Sequence, residues 1–289
     1  MEYDYEKSPQ GVTVGGENYN ANYGWILEHI AGELDRRKSP VNVLEIGCGG
    51  GRNLKVIHSV FGDRVTLTGI DVSAAAIGFA RELGVGDFHR MESDNILLDT
   101  KYDLILMIDM LEHLLSRPVV TRTLRQGSKY LQVDGRIYVS VPIERNKYCL
   151  TWMFNRCGHM RDLTKKYYGH SLQFDVEEIE AMMRDARLDR EDVFFSVHWL
   201  GQVYVLMYYF IPKILLEWLY GEVVANEMRD SNMEMKKGRH RMLGWVKKVW
   251  LATGYPLSCI AYGESRIRRH SFVGAGNMHI VLRSSEGPR

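Results

Sequence analysis

Apolar and polar positions change rhythm repeatedly along the chain, and each change predicts an element. Val41 to Ile46 is a β-branched run that halts at Gly47, after which Arg52 to Phe61 places Leu54, Ile57 and Phe61 at helical spacing. Val65 to Ile70 predicts a second strand ending at Asp71; Ser73 then caps a helix from Ala74 to Leu83 that stops at Gly84. Asp87 to Met91 predicts a third strand. Tyr102 to Ile108 predicts a fourth, nearly all apolar as suits a strand covered on both faces. Ser116 and Pro118 begin a helix reaching Leu131, and an Asp134-Gly135 turn leads into a fifth strand, Arg136 to Val141, closed by Pro142. Strands alternating with helices in this way predict a doubly wound α/β fold on a parallel sheet.

Residues 143–174 lose this rhythm and read as loop or short helix rich in His, Arg, Tyr and Trp. Asp175 with Glu178 forms a start like a capping box for a helix through Arg187, followed by a sixth strand, Val193 to Val197. The remaining strand candidate is Met278 to Leu282. The resulting division is an N-terminal cap over 1–40, with a helix from Trp25 to Arg36, a core over 41–197 and 272–289, and an apolar and basic helical insertion over 198–271.

Composition narrows the class. Apolar residues make up 45% and charged residues 25%, the balance of a globular chain, which excludes disordered, collagen-like and coiled-coil architectures. Thirty-seven basic against 36 acidic residues leave a net charge of +1, so no whole-chain field attracts nucleic acid. Cys48, Cys149, Cys157 and Cys259 are scattered without a CxxC pair, and a reducing, cytoplasmic setting fits them best. The opening MEYDYEKSPQ is polar and acidic, unlike a secretory signal.

The strongest chemical signal is VLEIGCGGGRNL, residues 43–54. Glycines at 47, 49 and 51 let a ligand lie against the main chain, where free N–H groups and a helix start favour its negative end. A dinucleotide fingerprint fails here, because from Gly47 its third glycine falls on Arg52 and from Gly49 on Leu54. A Walker phosphate loop fails too, since no Gly-Lys-Ser/Thr follows.

Glu45-x-Gly47-x-Gly49-x-Gly51 resembles the first motif of class I S-adenosylmethionine-dependent methyltransferases, and the likeness continues over residues 40–145, 170–197 and 274–284. That resemblance implies a seven-stranded, mostly parallel Rossmann-like sheet whose last strand is antiparallel. It also implies S-adenosylmethionine as cofactor, held by Glu45, Gly47, Cys48, Gly49 and Gly51, with Asp71 and the adjacent Val72 at the ribose. Asp94 and Asn95 are placed near the adenine, where a plain turn is the competing reading, and Asp109 opens the family's segment after the fourth strand, Asp109-Met-Leu-Glu112-His113. GHSLQFDVEEIEAMMRDARL further resembles the ubiquinone-type and small-molecule O-methyltransferase branch.

With an activated methyl group on the cofactor, a general base is needed only for a poorly ionised nucleophile, and His113, His159 and His170 are the candidates. His113 reads at least as well as a side chain capping or packing the next helix, and His159 and His170, in an aromatic-rich loop, fit a structural role more often than a catalytic one. Cys157-x-His159 lacks further ligands, so no metal is expected. Val193 to Pro212 carries no charge, yet Pro212, Lys213 and Glu217 argue against a membrane span and for an interfacial or substrate-enclosing helix. Lys236, Lys237, Arg239, Arg241, Lys247 and Lys248, interleaved with Trp245 and Trp250, suit an anionic membrane surface or a solvated helix face. The expected partner is a small-molecule or lipid-like methyl acceptor, with nucleic acid disfavoured. The alternative is a module that binds the cofactor without transferring its methyl group.

Overall fold

The apolar runs of the sequence become neighbours in one sheet. The computed structural model describes residues 23–37, 40–156, 165, 168–212, 214–215, 218 and 239–285. Its strands are β1 (Val41–Ile46), β2 (Val65–Asp71), β3 (Asp87–Arg90), β4 (Tyr102–Ile108), β5 (Leu131–Pro142), β6 (Leu188–Ser196) and β7 (Asn277–Ser284). They lie in the order β3-β2-β1-β4-β5-β7-β6. β1 pairs in parallel with β2 and β4, as do β2 with β3 and β4 with β5, whereas β7 runs antiparallel to both β5 and β6. This is the doubly wound, seven-stranded, mostly parallel fold expected from the sequence.

Crossovers put helices on both faces. α1 (Tyr23–Arg37), α2 (Arg52–Phe61) and α3 (Ala74–Glu82) cover one side, where Trp25, Ile30, Leu54 and Ile77 pack with Val43, Leu104 and Leu106. α4 (Arg117–Lys129) and α6 (Val176–Asp185) cover the other, where Val120, Leu124 and Ile179 meet Leu44, Ile105 and Met107. Alternate residues of β4 thus serve opposite layers, which is why its sequence shows no polar face. The cap read for α3 is present: Ser73 Oγ accepts the Ala76 N–H at 3.1 Å. Replacing Ser73 with alanine is expected to cost about 1 kcal/mol in urea unfolding, because the freed N–H is buried.

Two strands begin five residues before their predicted starts. Asp134-Gly135 does not end an element; Asp134 takes φ of 61°, and the register against β4 jumps from Tyr102↔Leu131 to Leu104↔Arg136, so the turn signal is absorbed as an irregularity inside β5. β6 begins five residues early, at Leu188, through the charged run Asp189 to Asp192. It is an edge strand, where exposed charges are tolerated and discourage pairing with another chain. Val197, at φ 53°, turns the chain out of the sheet.

Between β6 and β7 lie α7 (Trp199–Val205), continued by a π turn over Leu206–Phe210, and α8 (Arg239–Ile267). Gln202 ties α7 to its surroundings: its amide donates to the carbonyls of Gly274 (2.6 Å) and Val197 (3.1 Å), and its oxygen accepts the N–H of Leu150 at the start of α5 (Leu150–Arg156). No helix among the described residues is long and apolar enough to cross a membrane.

Candidate active site

The sheet reverses its winding between β1 and β4, so the carboxyl ends of these neighbours open a crevice where the connections diverge. The glycine loop lines it. Gly47, Gly49 and Gly51 have φ of 78°, 51° and 77°, a region in which a side chain is strained. Gly47 and Cys48 donate their N–H groups to the Ile70 carbonyl at 2.8 and 3.0 Å, which fixes the loop to the end of β2. A Cβ on Gly47 would lie 2.8 Å from Met110 Cβ, and one on Gly51 would press on Leu83, Phe88 and Ala80 at 3.0–3.2 Å. Gly51 therefore serves helix packing as well as the turn. Cys48 is buried, with its Sγ against Gly69, so it contributes its backbone to the loop while its thiol packs inside.

Asp71 braces the same loop. Its Oδ2 accepts the Gly49 N–H and its Oδ1 the Ser73 N–H, both at 2.9 Å, so the carboxylate is fixed at the end of β2 against the loop. Val72 beside it is 51% exposed, an apolar surface on which a flat ring can lie. Glu45 is fully buried at the end of β1. Its Oε1 accepts from Asn53 at 2.5 Å, its Oε2 has no partner, and burial pushes its carboxyl up to about 8. Asp94 turns to Arg122 of α4, accepting from its Nε (3.0 Å) and Nη2 (2.8 Å), while Asn95 is exposed in the turn closed by its N–H to Glu92. Asp109, at φ 47°, accepts from Ser140 Oγ (2.8 Å) and Asn277 (3.2 Å), and burial raises its carboxyl.

Beyond Asp109 the chain makes a short turn, Leu111–His113, that sets Glu112 and His113 side by side. His170 comes from the segment before α6. The His113 and His170 rings meet edge to face with centroids 5.0 Å apart, and each Nε2 lies 3.9 Å from Glu112 Oε1. His170 Nδ1 donates to Glu144 at 2.6 Å and His113 Nδ1 to the Gly169 carbonyl at 3.3 Å. Burial alone would lower His170, but its bond to Glu144, helped by Glu112 and Asp109, outweighs that and raises it. Burial, with the neighbouring His170 charge, pushes His113 down to about 3. Glu112, also buried, is pushed up to about 8.

Two of the three histidine candidates therefore converge, and His159 lies outside the described residues, as do Cys157, Lys213, Glu217, Lys236 and Lys237. Sequence reading passed over Glu144 and left Glu112 as part of a motif. A signal for both exists: acidic residues stand at or just past the carboxyl ends of β1, β2, β4 and β5, as Glu45, Asp71, Asp109 with Glu112, and Glu144. Those ends are the functional edge of such a sheet.

A glycine cradle beneath an acidic strand end, in a sheet of order 3-2-1-4-5-7-6, defines a Rossmann-like nucleotide-cofactor fold of the methyltransferase type. The comparisons specify it further. A family model described as a methyltransferase domain matches residues 21–189, and the chain belongs to that family. Its described core is thus a methyltransferase domain. A search of curated proteins finds no match.

Solved structures share the fold. A putative sarcosine dimethylglycine methyltransferase from Galdieria sulphuraria aligns at 10% identity over 92% of this chain and 86% of its own, with a TM-score of 0.54. The plantazolicin methyltransferase BamL, solved with a triazolic desmethylPZN analog and SAH, aligns at 17% identity over 91% and 85%, with a TM-score of 0.53. The chain spans about half (49%) of the sugar N-methyltransferase KedS8 from Streptoalloteichus, which covers 43% of this chain at 20% identity and a TM-score of 0.37. The site residues fit the cofactor. The loop offers main chain with no side chain in the way, Asp71 sets a carboxylate at its edge, and the buried Glu45 Oε2 is an acceptor still lacking a donor.

Proposed function

We propose that the chain transfers the methyl group of S-adenosylmethionine to an oxygen nucleophile on a small or lipid-like acceptor, with Glu45, the glycine loop, Asp71, Val72 and Asp109 at the cofactor. One observation carries this reading. The polar cluster of Glu112, His113, His170 and Glu144 sits beside Asp109, and its wall is aromatic: Tyr168 lies 5.7 Å from the His170 ring and 5.1 Å from Phe210 of the inserted helices. When bound, the cofactor supplies an activated methyl on a positively charged sulfur, so the chain has to align the acceptor and exclude water. A hydroxyl attacks poorly while it holds its proton, and polar groups are therefore required at its oxygen. An apolar wall next to a few converging polar groups is the lining of an enclosed small-molecule pocket.

Incubating the chain with methyl-labelled S-adenosylmethionine and cell extract, then separating small molecules, lipids and proteins, tests the proposal. Label is expected in the small-molecule or lipid fraction as a methyl ether or ester. Label confined to protein overturns the acceptor class, and none in any fraction despite cofactor binding returns the alternative of a binding module.

A second reading, contact with an anionic membrane surface, is favoured by α7. Leu200, Val203 and Met207 fall at helical spacing and are 38%, 37% and 45% exposed, with Trp218 and Trp250 exposed further along. Sedimentation with anionic vesicles at low salt is the measurement, and a chain that stays in the supernatant removes this reading.

A further inference from the structure

We propose that Glu112, His113 and His170 form a divalent-metal site, oriented by Glu144, whose open position takes the acceptor's hydroxyl oxygen. The role of the hydroxyl rests on the function proposed above; the metal site itself does not.

Convergence is the first argument. One ligand atom from each of the three residues lies within 4.8 Å of the others, although His170 is 57 positions from His113 in the sequence. Ligand bonds of about 2.0–2.2 Å permit separations up to about 4.2 Å between two atoms on one ion. The observed 3.9 Å from Glu112 Oε1 to each Nε2 falls inside that limit, and the two imidazole ligand atoms, within 4.8 Å of each other, need to close by at most about 0.6 Å.

The orientation of the rings is the second. A carbonyl oxygen only accepts, so the contact with Gly169 places a proton on His113 Nδ1, and the Nε2 of the same ring faces Glu112 at 3.9 Å. Glu144 does the same for His170. A carboxylate or carbonyl behind each imidazole is the arrangement that fixes tautomer and direction in metal-bound histidines.

The third is an unmet need. Glu112 is 1% exposed, and its Oε2 has no hydrogen-bond partner. Among the described residues no Lys or Arg pairs with it, and its ionic contacts are the two histidines. A buried, unpartnered carboxylate oxygen is costly, and a cation that Glu112 holds through both oxygens, Oε1 facing the histidines and Oε2 otherwise without a partner, would satisfy it. Two imidazoles with one carboxylate suit a first-row ion such as Zn2+ better than Mg2+ or Ca2+, and three protein ligands leave a position open for substrate.

An ion there lowers the pKa of an oxygen bound to it, as it does for water. The hydroxyl proton then leaves to solvent, the O–CH3 bond forms, and the S–CH3 bond breaks with its electron pair remaining on sulfur. The histidines are positioned as ligands rather than as bases.

The test uses the full chain, stripped with chelator and titrated with Zn2+ by calorimetry, and with Co2+ by visible absorption. One ion per chain is expected, with tetrahedral Co2+ bands. Glu112→Gln and His170→Ala should weaken Zn2+ binding at least 100-fold, and Glu144→Gln about 10- to 100-fold, the range for residues that orient ligands. His270→Ala, at an exposed histidine, should change nothing. S-adenosylmethionine binding by each variant verifies folding, and Glu144→Gln, which keeps the side chain's shape, serves if Glu112→Gln does not fold. Absence of stoichiometric Zn2+ binding, or binding indifferent to Glu112 and His170, overturns the site. Stoichiometric, variant-sensitive binding without methyl transfer to any hydroxyl supports the site and overturns the oxygen acceptor alone.

Discussion

Asp71→Ala is expected to weaken S-adenosylmethionine binding by about 2–4 kcal/mol, or roughly 30- to 1,000-fold. The carboxylate terminates β2 at the crevice, and both oxygens already accept main-chain N–H groups, from Gly49 and from Ser73. It therefore acts twice. In the proposed cofactor site its carboxylate faces the ribose hydroxyls, and its existing bonds hold the glycine loop against the start of α3. From sequence alone, losing this residue looks like a pure ligand effect that leaves the ligand-free chain intact. The bond to Gly49 changes that expectation, and the variant should also lose roughly 2 kcal/mol of ligand-free stability, since hydrogen bonds to charged groups are worth more than neutral ones. Asp71→Asn keeps one accepting oxygen and should fall between the two. Calorimetric titration with the cofactor, paired with urea unfolding without it, separates these effects. Unchanged cofactor affinity in Asp71→Ala would falsify the ribose assignment.

What the sequence reveals about this fold depends on how local the signal is. β1, β2 and β4 match their expected limits to within a residue because each is an apolar run stopped by glycine or acid, and a parallel strand buried on both faces needs no information from elsewhere. Asp134-Gly135 misleads for the same reason: a dipeptide that normally turns a chain is held here within β5 by pairing with β4 before it, at Leu131, and after it, from Arg136. β6 hides its first half behind four charged residues, because its edge position is a property of the whole sheet. The glycine loop and Asp71 are legible since their chemistry lies within one strand-loop-strand unit. Asp94 shows the limit of such spacing. Its carboxylate lies after β3 as expected, yet Arg122, a full crossover later, takes it in an ion pair. The His113–His170 pair and the Glu144 behind it come from three separate segments, and nothing in their local sequence announces that they meet. Only the recurrence of acids at strand ends points to them.

Acidification below pH 6.5 is expected to destabilise the chain steeply, with His279 as a main source. The ring is buried on β7 between two hydroxyls, Tyr138 of β5 at Nδ1 (2.8 Å) and Ser196 of β6 at Nε2 (2.6 Å), one donating and one accepting. Phe194 stacks on it at 4.7 Å, Trp25 lies 6.1 Å away, and His29 of α1 adds a like charge when protonated. No carboxylate is positioned among these partners to favour the charged ring. Burial first, and His29 second, push His279 down to about 3, against about 6.5 when unfolded. Between those values the unfolded chain binds a proton that the folded chain refuses. The contribution to stability is therefore fully present above pH 6.5, shrinks as pH falls, and levels off near 3. Its slope approaches about 1.4 kcal/mol per pH unit for one such group. His29, lowered mainly by burial, acts in the same direction. His279→Gln can still donate to one hydroxyl and accept from the other but cannot be charged. It should be less stable at pH 7.5, by roughly 1–3 kcal/mol for disturbing a buried polar network, yet its loss between pH 6.5 and 4.5 should be shallower by up to one proton. Urea unfolding at four pH values across that range measures both slopes, and parallel curves for the two proteins would place the acid sensitivity elsewhere in the chain.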